Sequence, residues 1–138
     1  MTPAVFSLQK YVFDKVSIDL SALSADMRLS LSIDPSGSYN QDTGEYVLVF
    51  IVEAFQDVEP SNKIVSVRCV ASYKFQQPIP NEELPRMFYA NSIAILFPYI
   101  RAFVSTVTLQ ANIVPPIILP TMNLTSLEER LMSNTKFQ

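Results

Sequence analysis

The sequence contains no histidine, no tryptophan, one cysteine and two glycines in 138 residues. Without histidine, the commonest general base and the commonest metal ligand are both missing. The lone Cys69 allows neither an internal disulfide nor a cysteine-based zinc cage. These absences exclude histidine-dependent catalytic triads and point to a reducing compartment. Gly37 and Gly44 cannot make a glycine-rich phosphate loop. No cofactor, no metal and no catalytic residue is therefore expected. Charge is also scarce, at 17% of residues. The 10 basic side chains are scattered through a chain of net charge −3, so no footprint for a phosphate backbone is visible and nucleic acid is not an expected partner. Long apolar runs are absent too: Val47–Val52 and Ile93–Val104, the latter broken by Pro98 and Arg101, fall short of the roughly 20 residues that span a bilayer. The opening Met1-Thr2-Pro3-Ala4-Val5 lacks the basic and apolar regions of a secretory signal. A cytoplasmic protein without an integral membrane segment is the expectation.

What the sequence does have is apolar surface. Hydrophobic residues make up 49% of the chain, high for a small monomer, which calls for buried subunit interfaces or a working apolar surface. The length fits one domain, residues 1–138, with 1–5 and 133–138 expected to be flexible.

Strand patterns fill the first half and helix patterns the second, which predicts an α+β fold with a four-stranded antiparallel sheet. The first strand covers about Phe6 to Leu20, with a bulge near Asp14, where the alternation slips. The second alternates Met27, Leu29, Leu31 and Ile33 against Arg28, Ser30, Ser32 and Asp34, so one of its faces is wet. Pro35 to Gly44 holds both glycines and reads as a hairpin loop. The third strand, Tyr46 to Phe55, is apolar on both parities and is expected to be covered on both faces. The fourth runs from Ile64 to Phe75. Asn81 with Glu82 and Glu83 predicts the start of a long helix reaching about Gln110, kinked near Pro98. An apolar, proline-held connector, Ile113–Met122, follows. Thr125-Ser126-Leu127-Glu128 matches a capping box for a short helix to about Met132.

Most chemistry-bearing residues have plain structural readings. Glu53, Asp57 and Glu59 lie where a strand runs into a turn, with no base to pair them, and read as a solvated turn. Cys69 falls on the apolar parity of its strand and reads as core. Asn123-Leu124-Thr125 satisfies a glycosylation sequon but serves better in helix capping. The connector alone is informative, because an extended strip of Ile, Leu and Met either packs on its own sheet or offers itself to a partner.

The run Tyr89-Ala90-Asn91-Ser92-Ile93-Ala94-Ile95-Leu96-Phe97-Pro98-Tyr99-Ile100-Arg101 resembles the N-I-L-F-P-Y-A-R-E signature in the first helix of the SecB export chaperones. Leu119-Pro120-Thr121-Met122-Asn123-Leu124-Thr125-Ser126-Leu127 is similar to that family's L-x-P-[IV]-N-F-D-A-L, and Phe6-x-Leu8-Gln9 opens the first strand alike. The similarity spans roughly Phe6 to Leu131. It implies a non-enzymatic, ATP-independent holdase that binds unfolded or pre-export polypeptides. It also implies a dimer through strand one and the long helix, and a homotetramer of two such dimers. By position, the implied client groove comprises Leu23, Met27, Leu29, Leu31, Ile33, Ile113, Val114, Ile117, Ile118, Leu119 and Met122. Flexible aliphatic and Met side chains suit promiscuous binding.

Departures from the family matter as well. The crossover Ser21–Asp26 is shorter than in the export chaperones and has no aromatic residue, which implies a shallower groove. The acidic positions through which SecB docks the SecA motor fall on Lys15, Asp19 and Arg68, two of the three reversed in charge, and the acidic C-terminal tail is missing. The reversal argues against docking that motor and makes a SecB-like chaperone dedicated to a toxin–antitoxin system or another fixed client the alternative to the general holdase. Two readings from other classes are a small apolar ligand-binding module and a structural oligomerisation module.

Overall fold

The computed structural model describes residues 5–21, 29–59, 62–112, 117–119 and 124–138, with backbone only at 124 and 125. The elements run β1 (Phe6–Ile18), β2 (Leu29–Asn40), β3 (Glu45–Gln56), β4 (Lys63–Phe75), a single 3-10 turn (Asn81–Glu83), α1 (Arg86–Gln110), α2 (Leu124–Ser133) and β5 (Thr135–Phe137). They form an α+β fold whose sheet has the order β1-β4-β3-β2-β5. The first four strands pair antiparallel as their alternation predicts. The expected bulge near Asp14 appears as a register shift between Phe13 and Lys15, and a second lies between Leu8 and Lys10.

One sheet face is covered. Ile33, Tyr39, Tyr46, Leu48, Phe50, Val52, Val67, Cys69, Ala71, Tyr73 and Phe75 are buried beneath Phe88, Ile93, Leu96, Phe97, Ile100 and Val104 of α1 and Leu127 and Leu131 of α2. Their recurrence at three and four residues along α1 and every second residue in the strands is what lets one face meet the other. Aromatic pairs seat the helix: Phe13 stacks on Phe103 at 4.1 Å between ring centroids, and Tyr11 on Tyr99 at 4.7 Å. α1 continues through Pro98. Cys69 is core, and its burial, with Asp14 nearby, pushes the thiol up to about 11.

Four expectations need correcting. The loop at Pro35–Gly44 is only a turn over residues 41–44, because β2 runs on to Asn40. The Gly37 N–H faces away from β3, donating to the Asn134 carbonyl at 3.2 Å. The proline two residues earlier thus lacks a donor only on the outer side, where no β3 bond is lost. Gly37 is small for packing, not for turning: a Cβ there would lie 2.0 Å from the Tyr46 hydroxyl oxygen. Gly44 is the turn glycine, with φ +73°. Second, the long helix begins at Arg86 and not at Asn81. Pro85 forces Leu84 into an extended conformation (ψ 114°), which isolates Asn81–Glu83 as one turn. Third, the sheet is five-stranded and mixed. Thr135–Phe137, within the tail expected to be flexible, pairs parallel with Gly37–Tyr39, anchored by a bond of 2.6 Å between the Thr135 and Tyr46 hydroxyls. Fourth, β3 is buried on one face only; Val47, Val49 and Ile51 on the other are half-buried. At the opposite terminus, Val5 is held through its carbonyl, which accepts from the Gln76 N–H at 2.8 Å, while residues 1–4 lie outside the described set.

Candidate functional site

After α1 the chain turns at Asn112, in left-handed conformation (φ 65°), and the connector comes back along the helix. Two helix side chains hold it. The Ile117 N–H donates to Thr108 Oγ1 at 2.9 Å, while that hydroxyl donates to the Val104 carbonyl at 2.9 Å. Arg101 Nε donates to the Leu119 carbonyl at 2.7 Å. Arg101 and Thr108 are seven residues apart, two helical turns, and so share a face. Between these ties Leu119 is buried in the core, Ile117 is half-buried, and Ile118 is 61% exposed. A backbone tied on both sides of an exposed isoleucine is an apolar surface with little entropy left to lose.

The other described groove candidates lie on β2. Leu29 and Leu31 are half-buried at the start of the strand, and Ile33 is buried. Arg130 of α2 donates to the Ile33 carbonyl, and Asn134 Nδ2 to the Pro35 carbonyl at 3.2 Å, so the outer side of β2 is capped from Ile33 onward. Leu23, Met27, Ile113, Val114 and Met122 lie outside the described residues. Thr108, Arg101 and Arg130 were not picked out from sequence. The available signal is a threonine and an arginine two turns apart on one helix face, where a buried or bonded polar group needs a partner.

Lys15, Asp19 and Arg68 do not form one cluster. Lys15 and Arg68 sit opposite each other on β1 and β4, and Asp14 lies 3.6 Å from Arg68. Asp19, beyond the end of β1, accepts two bonds from Ser21, which hold its carboxyl below the usual range. Of the acidic trio near the β3 end, Glu53 pairs with Lys63 at 2.8 Å and Asp57 accepts from Ser30 at 2.6 Å. No group of three metal-ligating side chains occurs among the described residues.

A second apolar surface lies on α1. Met87, Ile95, Tyr99 and Leu109 are exposed, as are Tyr11, Val12 and Val16 on β1, and among the described residues no strand pairs with the outer edge of β1. α1 is long and apolar enough to cross a membrane by length and composition, with a mean hydropathy of 1.6 over its best window. Its buried side chains pack on the sheet instead.

No protein-family model matches the chain. It is 32% identical to an uncharacterized protein of Methanocaldococcus jannaschii over 120 residues, covering 81% of this chain and 76% of that one. Among solved structures it is similar to a SecB-like chaperone of Mycobacterium tuberculosis in complex with a peptide from an antitoxin. That likeness has a TM-score of 0.64 and 15% identity, over 86% of this chain and 90% of the other. It is also similar to a protein of unknown function from Streptococcus agalactiae, with TM-score 0.53 and 12% identity, over 87% of this chain and all of the other.

Proposed function

The chain belongs to the family of the Methanocaldococcus jannaschii protein and has the SecB-like fold, and on that premise we propose that it is an ATP-independent holdase chaperone, not an enzyme, for unfolded polypeptides. The observation that carries the proposal is the connector: Ile118 stands in solvent between two backbone ties to α1, and Leu29 and Leu31 at the start of β2 are only half-buried. A client's apolar side chains would cover these surfaces while the aromatic core stays shut. The proposed site consists of Leu29, Leu31, Ile117 and Ile118, with Leu23, Met27, Ile113, Val114 and Met122 as flanking candidates. Ile33 and Leu119 support it from the core. The test pairs suppression of aggregation of a reduced, unfolded substrate with thermal unfolding of the same sample. Ile118→Ser should weaken holding and leave stability within about 0.5 kcal/mol. Undiminished holding by this variant and by Ile117→Ser would overturn the assignment.

Assembly belongs to the same reading. The exposed face of α1 and the open edge of β1 would join copies into dimers and then a homotetramer, with the straight stretch Lys10–Phe13 between the two bulges as the segment that pairs. Light scattering should give a mass near four times 15.5 kDa, and a monomer at micromolar concentration would sink the proposal. A dedicated client, as in a toxin–antitoxin system, is favoured over general export, because the SecB-like neighbour was solved with an antitoxin peptide and because Lys15 and Arg68 stand at the docking positions. A single cytoplasmic domain fits this role.

A further inference from the structure

We propose that Arg101 is a specificity-determining residue of the client site, selecting aliphatic client segments that carry an Asp or Glu side chain. The inference rests on the reading of the connector as that site and adds to it the kind of segment that fits. Arg101 is the only charged residue from Met87 to Leu127. The rest of α1 beyond Arg86, the connector and the first turn of α2 therefore present a partner with no other charge.

Its position is fixed. The Nε–H is engaged by the Leu119 carbonyl at 2.7 Å, which holds the guanidinium against the connector, one residue from the 61% exposed Ile118. That bond leaves both Nη groups, and among the described residues neither has a hydrogen-bond partner. No described carboxylate pairs with Arg101 either. The two carboxylates of α2, Glu128 and Glu129, lie 2.8 and 3.7 Å from Arg86, about 22 Å along the helix from Arg101. Around the start of β2, Asp57 accepts from Ser30 and Glu53 pairs with Lys63.

Arg101 is exposed while the connector is bare, and water serves its Nη groups. A segment that covers Ile118 takes that water away. Covering a cation without giving it a partner is strongly unfavourable, so a purely apolar segment is penalised at this point. A carboxylate one or two residues from the side chain that meets Ile118, about 3–7 Å along an extended chain, would pair end-on with both Nη groups. Main-chain carbonyls accept too, but every client has them and they do not discriminate. A basic segment is repelled. One fixed cation in an apolar strip does not suit a polyanion, which is recognised by several cations together. The aliphatic contacts thus give the site its breadth, and Arg101 gives it a bias.

The test uses the full chain and three acetylated, amidated peptides: Leu-Val-Ile-Glu-Ile-Val-Ser and the same sequence with Gln or Lys in place of Glu. Each competes against one tracer peptide that bears an uncharged dye. The Glu peptide should bind about fivefold more tightly than the Gln peptide and the Lys peptide most weakly, with the gap closing as salt rises. Arg101→Gln, which removes the charge and keeps N–H donors, should level the three affinities, and Arg101→Glu should invert their order. Thr108→Val loosens the connector's other tie without touching a charge, so it should weaken all three peptides and keep their ratio. Because the readout is a ratio within one sample, partial unfolding of a variant changes the amount bound and not the order. Equal affinities in the unaltered protein, a ratio that survives Arg101→Gln, or a ratio lost in Thr108→Val would each overturn the proposal. Should any of these occur while the unaltered protein still suppresses aggregation, the chaperone reading stands without it. Neither peptide binding nor suppression of aggregation would sink that reading, and this proposal with it.

Discussion

The two ends of the covered sheet face differ in kind. At one end Tyr39, Tyr46, Tyr73, Phe75, Phe6 and Phe88 interlock, with Phe88 edge-on to Phe6 at 4.7 Å and to Tyr46 at 4.6 Å. Three tyrosine hydroxyls there reach partners: Tyr39 donates to the Ile79 carbonyl at 2.7 Å, Tyr73 to the Ser92 carbonyl at 2.6 Å, and Tyr46 meets Thr135. At the other end the side chains are aliphatic, and Ile18, Leu29 and Leu31 are only half-buried. Rigid rings with satisfied polar tips lock one geometry, whereas aliphatic chains with spare exposure repack around different partners. On the proposed function, stability should be concentrated at the aromatic end and client contact at the aliphatic one.

The largest effect that would test this contrast is Phe88→Ala, expected to cost about 3–5 kcal/mol in chemical unfolding. Leu29→Ala, on the open end, should cost well under half of that. Equal costs would break the comparison. Gly37→Ala comes next: elsewhere such a change stabilises through the unfolded chain, but here the new methyl meets the Tyr46 ring, so a loss of about 1–3 kcal/mol is expected by thermal melting. Tyr73→Phe should cost about 1 kcal/mol, since it strips the Ser92 carbonyl of a buried donor, while holding activity per folded molecule stays constant.

The smallest effect at neutral pH, and one that sharpens the contrast only in alkali, is titration of the core. Burial raises the Cys69 thiol from 9.0 to about 11 and raises Tyr46 and Tyr73 further. Their unfolded-state forms therefore lose protons first. The stability they contribute is full below about pH 9 and falls as the pH climbs towards 11 and beyond. Melting temperature should drop over that range, and Cys69→Ala should remove the earliest part of the drop. An unchanged profile in that variant would show that the tyrosines alone are responsible.

Much of this was legible in the sequence. The parity of Val65 to Phe75, the slip at Asp14 and the helical stripe from Ile93 to Val107 each reflect a local period, and local periods survive in a linear string. What failed was punctuation. Pro35 and Gly37 looked like loop residues because a single sequence cannot tell a proline facing an outer strand edge, or a glycine making room for a tyrosine from the next strand, from a turn. Thr135–Phe137 looks frayed in the sequence because three residues carry no period; the segments that hold them, Gly37–Tyr39 and Tyr46, lie far away along the chain. The ties from Thr108 and Arg101 to the connector were invisible for the same reason: both are pairings between segments, and a pattern within one segment does not encode them.

Pro98 cannot donate a backbone hydrogen bond within α1, and it divides the helix unevenly. Ahead of it, Phe88 and Ser92 are fastened to the aromatic end; behind it, Arg101 and Thr108 carry the connector. Mechanically the helix is a lever with its weak point between the clamp and the load. A bend of a few degrees at that proline would move Ile117 to Leu119 as one piece relative to the sheet, sliding Tyr99 and Phe103 over Tyr11 and Phe13 while Phe88 and the three bonded tyrosines stay in place.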